Sequence, residues 1–241
     1  MMVLASCVFA LVLLVASPTG AHRTELKDGC TMDDLKKCGD DYIPYSKGGL
    51  LRMPNLQFAE GCKLIVEQIN CSLDFMKSCT QQAPQAAALV VLQALKENIE
   101  DVCAVGSKAY KKFQKSVKCM ELVGQRMHRC MQRFHDLIER AVMKAPVRDV
   151  IPHGCCIYND LVGCWSTTLA PCERVQGKEF ALGILDDIFG EVVHLVCGRY
   201  IKTTDACKEL PPLPQLGKGD QRLGTYIELV MEVAATYGRK N

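Results

Sequence analysis

The sequence has little net charge, few histidines and no apolar run long enough to cross a membrane. Its formal net charge is +2 at pH 7, so the charge balance does not predict a nucleic-acid partner. The histidines are scattered and do not form the close Cys/His pairs that zinc requires, so we expect no metal or other cofactor. Sustained alternation of apolar and polar residues is also absent, which argues against a β-sheet. These absences favour an all-α protein.

Catalytic sequence motifs are missing as well. The chain has no Gly-x-Ser-x-Gly elbow, no His-Glu-x-x-His zinc motif and no phosphate-binding glycine loop. The segment from Cys155 to Cys164 resembles the active-site helix of secreted phospholipases A2, but Asn159 stands at the position of the catalytic histidine, and an amide cannot act as a general base. His135 and Asp136 are more typical of a surface or core pair than of half a triad. We expect no catalytic residues, and a degenerate phospholipase-like enzyme is the least favoured function.

The first residues predict a secretory signal peptide. Val3 to Ala16 is an apolar run with the length of a signal-peptide hydrophobic region. Pro18 and Gly20 interrupt it, and the small residues that follow favour cleavage after Ala21. We therefore assign residues 1–21 to a signal peptide and expect the rest of the chain to be secreted, extracellular and not membrane-spanning.

Cysteine is the residue that the sequence has in excess, with 15 in 241 residues. All except Cys7 follow the predicted signal peptide, and an even number in an oxidising compartment predicts a framework of disulfide bridges. Two sets of six share one spacing pattern, with a register shift of 93 residues from Cys62/Cys155 to Cys79/Cys172. The candidates are Cys30, Cys38, Cys62, Cys71, Cys79 and Cys103 in the first set, Cys119, Cys130, Cys155, Cys164, Cys172 and Cys197 in the second, and Cys156 and Cys207 outside both.

This repeated spacing predicts a disulfide-stapled helical protein built from two tandem, related helical units. We place the first unit at residues 22–118, the second at 119–209, and a Pro-rich linker with a C-terminal amphipathic helix at 210–241. The last helix is expected from about Asp220 to Tyr237. Its predicted buried stripe consists of Tyr226, Val230, Val233 and Tyr237.

A helical hairpin in the first unit predicts one of the bridges. Apolar residues keep helical spacing after Pro84, at Ala88, Leu92, Leu95, Ile99 and Val102. An antiparallel pair of helices over 58–79 and 84–103 would bring Cys62 close to Cys103.

The second unit should contain the equivalent bridge. Phe180, Ile184, Ile188, Val192 and Leu195 also keep helical spacing, and Gly198 is placed to end that helix. The bridge would join Cys155 or Cys156 to Cys197. If the two units bond alike, Cys156 and Cys207 form an additional pair. The other pairings stay open.

A long helix is predicted from about Ser107 to Lys144, where one unit leads into the next. Its apolar stripe is Tyr110, Phe113, Val117, Met120, Gly124, Met127, Met131, Phe134, Ile138 and Ala141. Such a stripe is typical either of a coiled-coil seam or of the central helix of a bundle. Cys119 and Cys130 lie almost three full turns apart and share one face, which favours the bundle.

The same helix carries most of the local charge asymmetry. Its exposed face is basic, whereas the whole chain is close to neutral. A solvated helix face is the simpler interpretation, and a site for anionic partners such as sulfated glycans or lipid headgroups is the sharper one. The candidate anion-binding residues are Lys108, Lys111, Lys112, Lys115, Arg126, Arg129 and Arg133.

One glycosylation sequon is present, with Asn70 as the candidate acceptor followed by Cys71 and Ser72. A bridge from Cys71 would compete with modification of Asn70.

The leader, the cysteine spacing within helices and the Cys155–Cys156 doublet resemble those of arthropod secreted cysteine-rich haemolymph or salivary glycoproteins. The resemblance covers most of the mature chain. It implies an extracellular protein in circulation, without an assigned activity and without active-site residues to transfer.

Three function classes follow from the sequence. The leading one is a secreted binding protein, which either carries an apolar ligand between its helices or engages an extracellular protein, glycan or lipid. The alternative is a structural or interaction protein that forms a homodimer through the helix seam at 110–141. An enzyme is the third.

Overall fold

Helices form all the regular secondary structure in the part of the chain that the computed structural model describes, which is residues 24–51, 58–200, 205–220 and 222–237. The predicted signal peptide lies outside these residues. The helices are α1 Met32–Lys37, α2 Phe58–Cys79, α3 Gln82–Cys103, α4 Lys108–Leu122, α5 Gly124–Lys144, α6 Val147–Thr168, α7 Gly177–Val196, α8 Asp205–Lys208 and α9 Tyr226–Ala235, with short 3-10 helices at Ala170–Val175 and Gly198–Tyr200. The all-α prediction is confirmed. Over the same residues, no helix is both long and apolar enough to cross a membrane.

Side-chain caps and a glycine set several helix ends. Thr31 and Asp34 form a reciprocal capping box at the start of α1. The Ser107 hydroxyl accepts a hydrogen bond from the backbone N–H of Tyr110 at 2.8 Å and caps α4. After α7, Gly198 adopts φ +47°, a left-handed conformation that glycine tolerates. The predicted ends at Ser107 and Gly198 are confirmed.

The single helix predicted over residues 107–144 is two helices. Val123, with φ −100° and ψ 1°, leaves the helical conformation and separates α4 from α5. The next residue, Gly124, lies against the backbone of Gly49, and a Cβ atom on Gly124 would overlap the Gly49 carbonyl oxygen. The prediction of a continuous helix is wrong: Val123 interrupts it beside the point where the backbone of Gly49, from the segment between α1 and α2, packs against Gly124.

The apolar stripe of this region is buried inside the chain. α4 packs on α3 and α7, whereas α5 packs on α6 and α9. The bundle interpretation is therefore confirmed, because the stripe packs against helices of the same chain. Dimerisation through the seam at 110–141 stays a prediction. The fully buried members of the stripe are Phe113, Val117, Met120, Gly124, Met127, Met131, Ile138 and Ala141.

Seven disulfides join the helices. In each set of six cysteines, the first bonds the fifth, the second bonds the fourth and the third bonds the sixth. The predicted bridges Cys62–Cys103, Cys155–Cys197 and Cys156–Cys207 are confirmed, and the origin of the two halves from a repeated unit stays a prediction. The remaining bridges are Cys30–Cys79, Cys38–Cys71, Cys119–Cys172 and Cys130–Cys164.

The two predicted units share one core. The main cluster of buried side chains contains Leu92 of α3 together with Met127 of α5, Trp165 of α6 and Leu185 of α7. The predicted boundary between residues 118 and 119 falls inside α4, which packs on both α3 and α7. Each half therefore buries its apolar surface against the other.

The C-terminal helix is shorter than predicted and buries a different face. α9 begins at Tyr226, after the N-cap Thr225, rather than near Asp220. Ile227 and Met231 are buried, whereas the four residues of the predicted stripe are half-buried or exposed. That stripe prediction is wrong because α9 packs between α3, α5 and α6, and the predicted residues instead border a cavity between the helices.

Complete reduction of the disulfides is expected to unfold the protein. The bridges span sequence separations of 33 to 53 residues, and a bridge of this kind contributes about 3–4 kcal/mol by restricting the unfolded chain. Far-ultraviolet circular dichroism of the reduced protein should show loss of most of the helical signal, with the oxidised protein as the control. Full helical signal after reduction, verified by mass spectrometry, would contradict this expectation.

Replacing Gly124 by alanine is expected to destabilise the protein by about 1–3 kcal/mol, because the added methyl group would overlap backbone rather than a movable side chain. Gly163→Ala is the matched control: a Cβ atom there meets nothing within 4 Å, so the higher helix propensity of alanine should stabilise α6. Urea unfolding measures both free energies. Equal stability of the two variants would argue against the close Gly49–Gly124 contact.

Candidate apolar binding cavity

Five helices and one loop line an apolar cavity of about 480 Å³. The walls come from α3, α5, α6, α7 and α9, with Ile43 and Pro44 added by the segment between α1 and α2. This volume lies within the range of small-molecule sites, which is about 300–1,000 Å³. Wall residues include Val91, Leu95, Met131, Ile138, Leu161, Trp165, Leu185, Ile188, Ile227 and Val230.

No charged side chain lines this cavity. Among the described residues, its lining consists of aliphatic and aromatic side chains, methionine, proline, glycine and cysteine, without Asp, Glu, Lys, Arg or His. An ion in such surroundings would lose its hydration without gaining a partner. The cavity is therefore suited to neutral, apolar molecules.

Small residues leave the space between the helices. α3 contributes Ala83, Ala86 and Ala87 to the lining, and α6 contributes Gly154. A Cβ atom at Gly154 would lie 3.9 Å from both Ile138 Cδ1 and Val233 Cγ1, so a longer side chain there would extend between α5 and α9. The sequence offered no signal for Gly154, because its role depends on helices that are distant in the chain.

Two tyrosines present their rings to the cavity and direct their hydroxyls to the backbone. The Tyr158 hydroxyl donates to the carbonyl oxygen of Leu185 at 3.2 Å, and the Tyr226 hydroxyl donates to that of Met131 at 3.1 Å. Burial raises the pKa of Tyr158 to about 12, and burial likewise raises the pKa of Tyr226. Both hydroxyls stay protonated near neutral pH and have partners.

Trp165 is a polar exception in the wall. Its side chain is 3% exposed, and its indole Nε1–H has no hydrogen-bond partner among the described residues. The Tyr45 ring meets it edge-on, with 6.1 Å between ring centroids, and the Tyr45 hydroxyl is also buried without a partner. The Tyr45 carbonyl oxygen in turn accepts a hydrogen bond from His128 Nδ1 at 2.6 Å, which holds this segment in place.

Some apolar residues that line the cavity are also exposed to solvent. Val90 on α3 is 50% exposed, Leu195 on α7 is 82% exposed, and Tyr237 after α9 is 61% exposed. All three line the cavity, so it communicates with solvent at this point. Leu195 keeps the helical spacing of the stripe on α7, but its side chain is exposed, whereas Leu185 and Ile188 on the same helix are buried.

A buried carboxylate fixes the linker that carries α9. Glu139 on α5 is 2% exposed and accepts hydrogen bonds from Arg222 Nη1 at 2.8 Å and from the backbone N–H of Leu223 at 2.7 Å. Nearby, Lys144 pairs with Asp220 at 2.7 Å, and this ammonium group lowers the pKa of the Asp220 carboxyl. Together these contacts tie residues 220–223 to α5 and place α9 as a wall of the cavity.

The neighbouring His135 and Asp136 belong to the same structural network. Ligand atoms of His135, Asp136 and Glu139 lie within 4.8 Å of one another. However, both oxygens of Glu139 already accept hydrogen bonds, and the His135 ring packs edge-on against Tyr226 with 5.2 Å between centroids. Glu139 and His135 therefore connect α5 to the linker before α9 and to α9 itself.

The predicted basic residues lie along the exposed side of α4 and α5 and do not converge on one point. Lys112 pairs with Glu179 at 2.8 Å, and Lys112, with smaller effects from Lys108 and Lys115, lowers the pKa of the Glu179 carboxyl. Arg133 lies 4.0 Å from Asp160. Lys111, Arg126 and Arg129 are exposed and form no ion pair with a described residue. The structure shows a row of charges rather than a pocket.

Two further residues singled out by the sequence, Asn70 and Asn159, lie within helices beside residues that form bonds within the fold. Asn70 is half-buried within α2, beside the bonded Cys71, and the Ser72 hydroxyl is buried 3.1 Å from the Tyr42 hydroxyl, so its glycosylation stays a prediction. Asn159, in the phospholipase-like segment, donates from Nδ2 to the Tyr200 carbonyl oxygen at 2.8 Å.

An acidic cleft of about 890 Å³ lies between α3 and α7. It is lined by Glu97, Asp101, Asp186, Asp187 and Glu191, which are all exposed to solvent. Because solvated carboxylates on a helix surface are common, the apolar cavity is the better candidate for a binding site.

Comparison of the chain with protein families, with curated proteins and with solved structures finds no match. The geometry of this cavity is therefore the basis on which a function can be inferred.

Replacing Glu139 by glutamine is expected to lower the free energy of unfolding by about 1–3 kcal/mol, because a buried acceptor of two hydrogen bonds would become partly a donor. The control is Glu191→Gln, at an exposed carboxylate for which the structure shows no ion pair. Urea unfolding of both variants provides the measurement. A loss no larger for Glu139→Gln than for the control would show that the linker contact contributes little.

Proposed function

We propose that this protein is a secreted binding protein that holds a small apolar molecule between its helices. The observation that carries the proposal is the cavity of about 480 Å³, whose described lining contains no charged side chain. A pocket of this size with few polar groups is the usual form of a small-molecule site.

The disulfides support a cavity that exists before the ligand binds. Cys155 and Cys197 line the cavity, and their bridge joins α6 to the end of α7. Helices held in this way cannot collapse into the space as freely as unlinked helices could. A binding site that is already formed loses less conformational entropy when the ligand enters.

Secretion is part of the proposal. Seven disulfides in one chain are consistent with an extracellular protein, because such bridges persist in oxidising compartments. The apolar leader at residues 1–21 and the resemblance to secreted cysteine-rich glycoproteins agree with this assignment.

The geometry favours the cavity over the basic row as the functional site. Lys111, Arg126 and Arg129 line no described concave surface, and neighbouring acidic side chains contact Lys112 and Arg133. A surface of this kind attracts anions without selecting among them. We keep binding to glycans or lipid headgroups as a second, less specific property of the same protein.

Filling the cavity should abolish binding without unfolding the protein. We expect the wild-type protein to bind the apolar probe N-phenyl-1-naphthylamine with an increase in probe fluorescence. Gly154→Leu should weaken this binding by at least about tenfold, because the side chain would occupy the space between α5 and α9. Ala87→Phe, which adds volume from α3, should have the same effect.

The matched control is Gly163→Leu. Gly163 lies on the same helix, and a Cβ atom there meets nothing within 4 Å, so this variant should bind the probe as the wild type does. Circular dichroism verifies that each variant is folded. Absence of probe binding by the wild type, or undiminished binding by folded Gly154→Leu and Ala87→Phe, would refute the proposed site.

A further inference from the structure

We propose that the ligand of this cavity is a cationic amphiphile, whose hydrocarbon chain occupies the cavity and whose protonated amine lies outside it, in the acidic cleft. This inference rests on the proposed function and specifies the ligand class of that site. It ranks long-chain amines above alcohols and fatty acids that have the same hydrocarbon chain.

The cavity itself suits only the apolar part of such a molecule. Its described lining has no charged side chain, and the hydroxyls of Tyr158 and Tyr226 already donate to backbone carbonyl oxygens. A charged group moved into these surroundings would lose its hydration without gaining a partner. Because Val90 and Leu195 line the cavity and are exposed to solvent, the polar end of a ligand can stay outside while its chain is inside.

The acidic cleft adjoins the cavity at these exposed residues. Leu195, near the end of α7, lines both the cavity and the cleft. On α3, Val90 lines the cavity, and Ala94, about one turn later, lines the cleft. The two concave surfaces therefore meet between α3 and α7, and a single molecule can extend from one into the other.

One face of α3 runs through both surfaces and changes from apolar to acidic along its length. Its members follow one another at spacings of three or four residues, so they share one side of the helix. The cavity part of this face consists of Ala83, Ala87 and Val90, and the cleft part consists of Ala94, Glu97 and Asp101. About 15 Å of helix separates Ala87 from Glu97. An alkyl chain that lies along this face over that distance would bring its head group to the carboxylates.

The carboxylates of the cleft form no ion pair with a described residue. They are exposed, and apart from one histidine the lining of the cleft contains no basic side chain. The five acidic residues are Glu97 and Asp101 on α3 and Asp186, Asp187 and Glu191 on α7. Such a concentration of one sign of charge in a concave surface attracts cations, and an ammonium group has three N–H donors for carboxylate oxygens.

Neither surface would select this ligand class without the other. An exposed carboxylate attracts a cation only weakly, so the cleft by itself is an ordinary solvated surface. The cavity supplies affinity for any hydrocarbon chain but does not distinguish between head groups. Together they bind the chain and select a positive head group, because the charge stays hydrated beside the carboxylates.

The test compares decylamine, 1-decanol and decanoate, which share one alkyl chain length, with titration calorimetry as the readout and each compound kept below micelle-forming concentrations. Decylamine is protonated at neutral pH, as a lysine side chain is. We expect the wild-type protein to bind decylamine about 3- to 10-fold more tightly than 1-decanol, because each exposed ion pair contributes little. Added salt should reduce this preference, and decanoate should bind most weakly.

The decisive variant combines Glu97→Gln with Glu191→Gln, one carboxylate from each helix of the cleft. It should lose most of the preference for decylamine and keep the affinity for 1-decanol. The matched control combines Glu60→Gln with Asp74→Asn on α2, which changes the net charge equally at exposed residues that line neither surface. This control should keep the preference, and circular dichroism verifies that both variants are folded.

Several outcomes would overturn the inference while the apolar site stands. They are equal affinity of the wild-type protein for decylamine and 1-decanol, tightest binding of decanoate, a preference that Glu97→Gln/Glu191→Gln keeps, and a preference that the α2 control loses as well. Decylamine binding that folded Gly154→Leu does not weaken would also overturn it, since the chain would then lie outside the cavity.

The probe N-phenyl-1-naphthylamine separates this inference from the function on which it rests. If the wild-type protein binds this probe but none of the decyl compounds, the inference alone fails. If it binds neither the probe nor the decyl compounds, both the inference and the proposed function fail.

Discussion

Covalent pairing of helices through cysteine is the constraint on which the rest of the structure depends. The Cα atoms of the bonded cysteines lie 5.5 to 6.0 Å apart, so each bridge sets the distance between two segments of the bundle. With 49% hydrophobic but only 6% aromatic residues, the core is built mainly from aliphatic side chains, and a bundle without cross-links would require these to pack closely for stability. The bridges reduce this requirement, because they restrict the unfolded chain independently of how well the core is filled. Space between the helices can therefore persist as a cavity.

Contacts other than disulfides attach two non-helical segments to the bundle. The linker after α8 carries no cysteine, and it is attached to α5 by the bonds of Glu139 to Arg222 and Leu223 and by the Lys144–Asp220 ion pair. Gly124 likewise allows the backbone of Gly49 to approach α5, and Ile43 and Pro44, which precede Gly49 in the same segment, line the cavity. The two contacts are far apart in sequence, yet each one brings a non-helical segment into the construction of the same site.

Features that depend on local spacing could be predicted from the sequence. The helices around Cys62 and Cys103 followed from apolar periodicity, and that periodicity placed both cysteines on facing turns. Features that depend on which neighbouring helix covers a given face could not be predicted in this way. The pattern of α9 is apolar on more than one side, so periodicity selected Tyr226 and Val233 while packing buried Ile227 and Met231. Likewise, the sequence shows Glu139 only as one acidic residue on a basic helix. Its partners Arg222 and Leu223 lie more than 80 positions later in the chain, so local spacing could not predict the contact.

The last bonded cysteine is Cys207, and α9 begins at Tyr226, so this wall of the cavity is the one that no disulfide tethers directly. The other four walls each contain a bridged cysteine or end beside one. α9 is therefore held only by packing, through Ile227, Leu229 and Met231, and by the contacts of Glu139 to the linker before it, so it can detach while every covalent cross-link stays intact. Passage of a molecule between the interior and solvent would then follow the rate of this partial opening, without reduction of any disulfide.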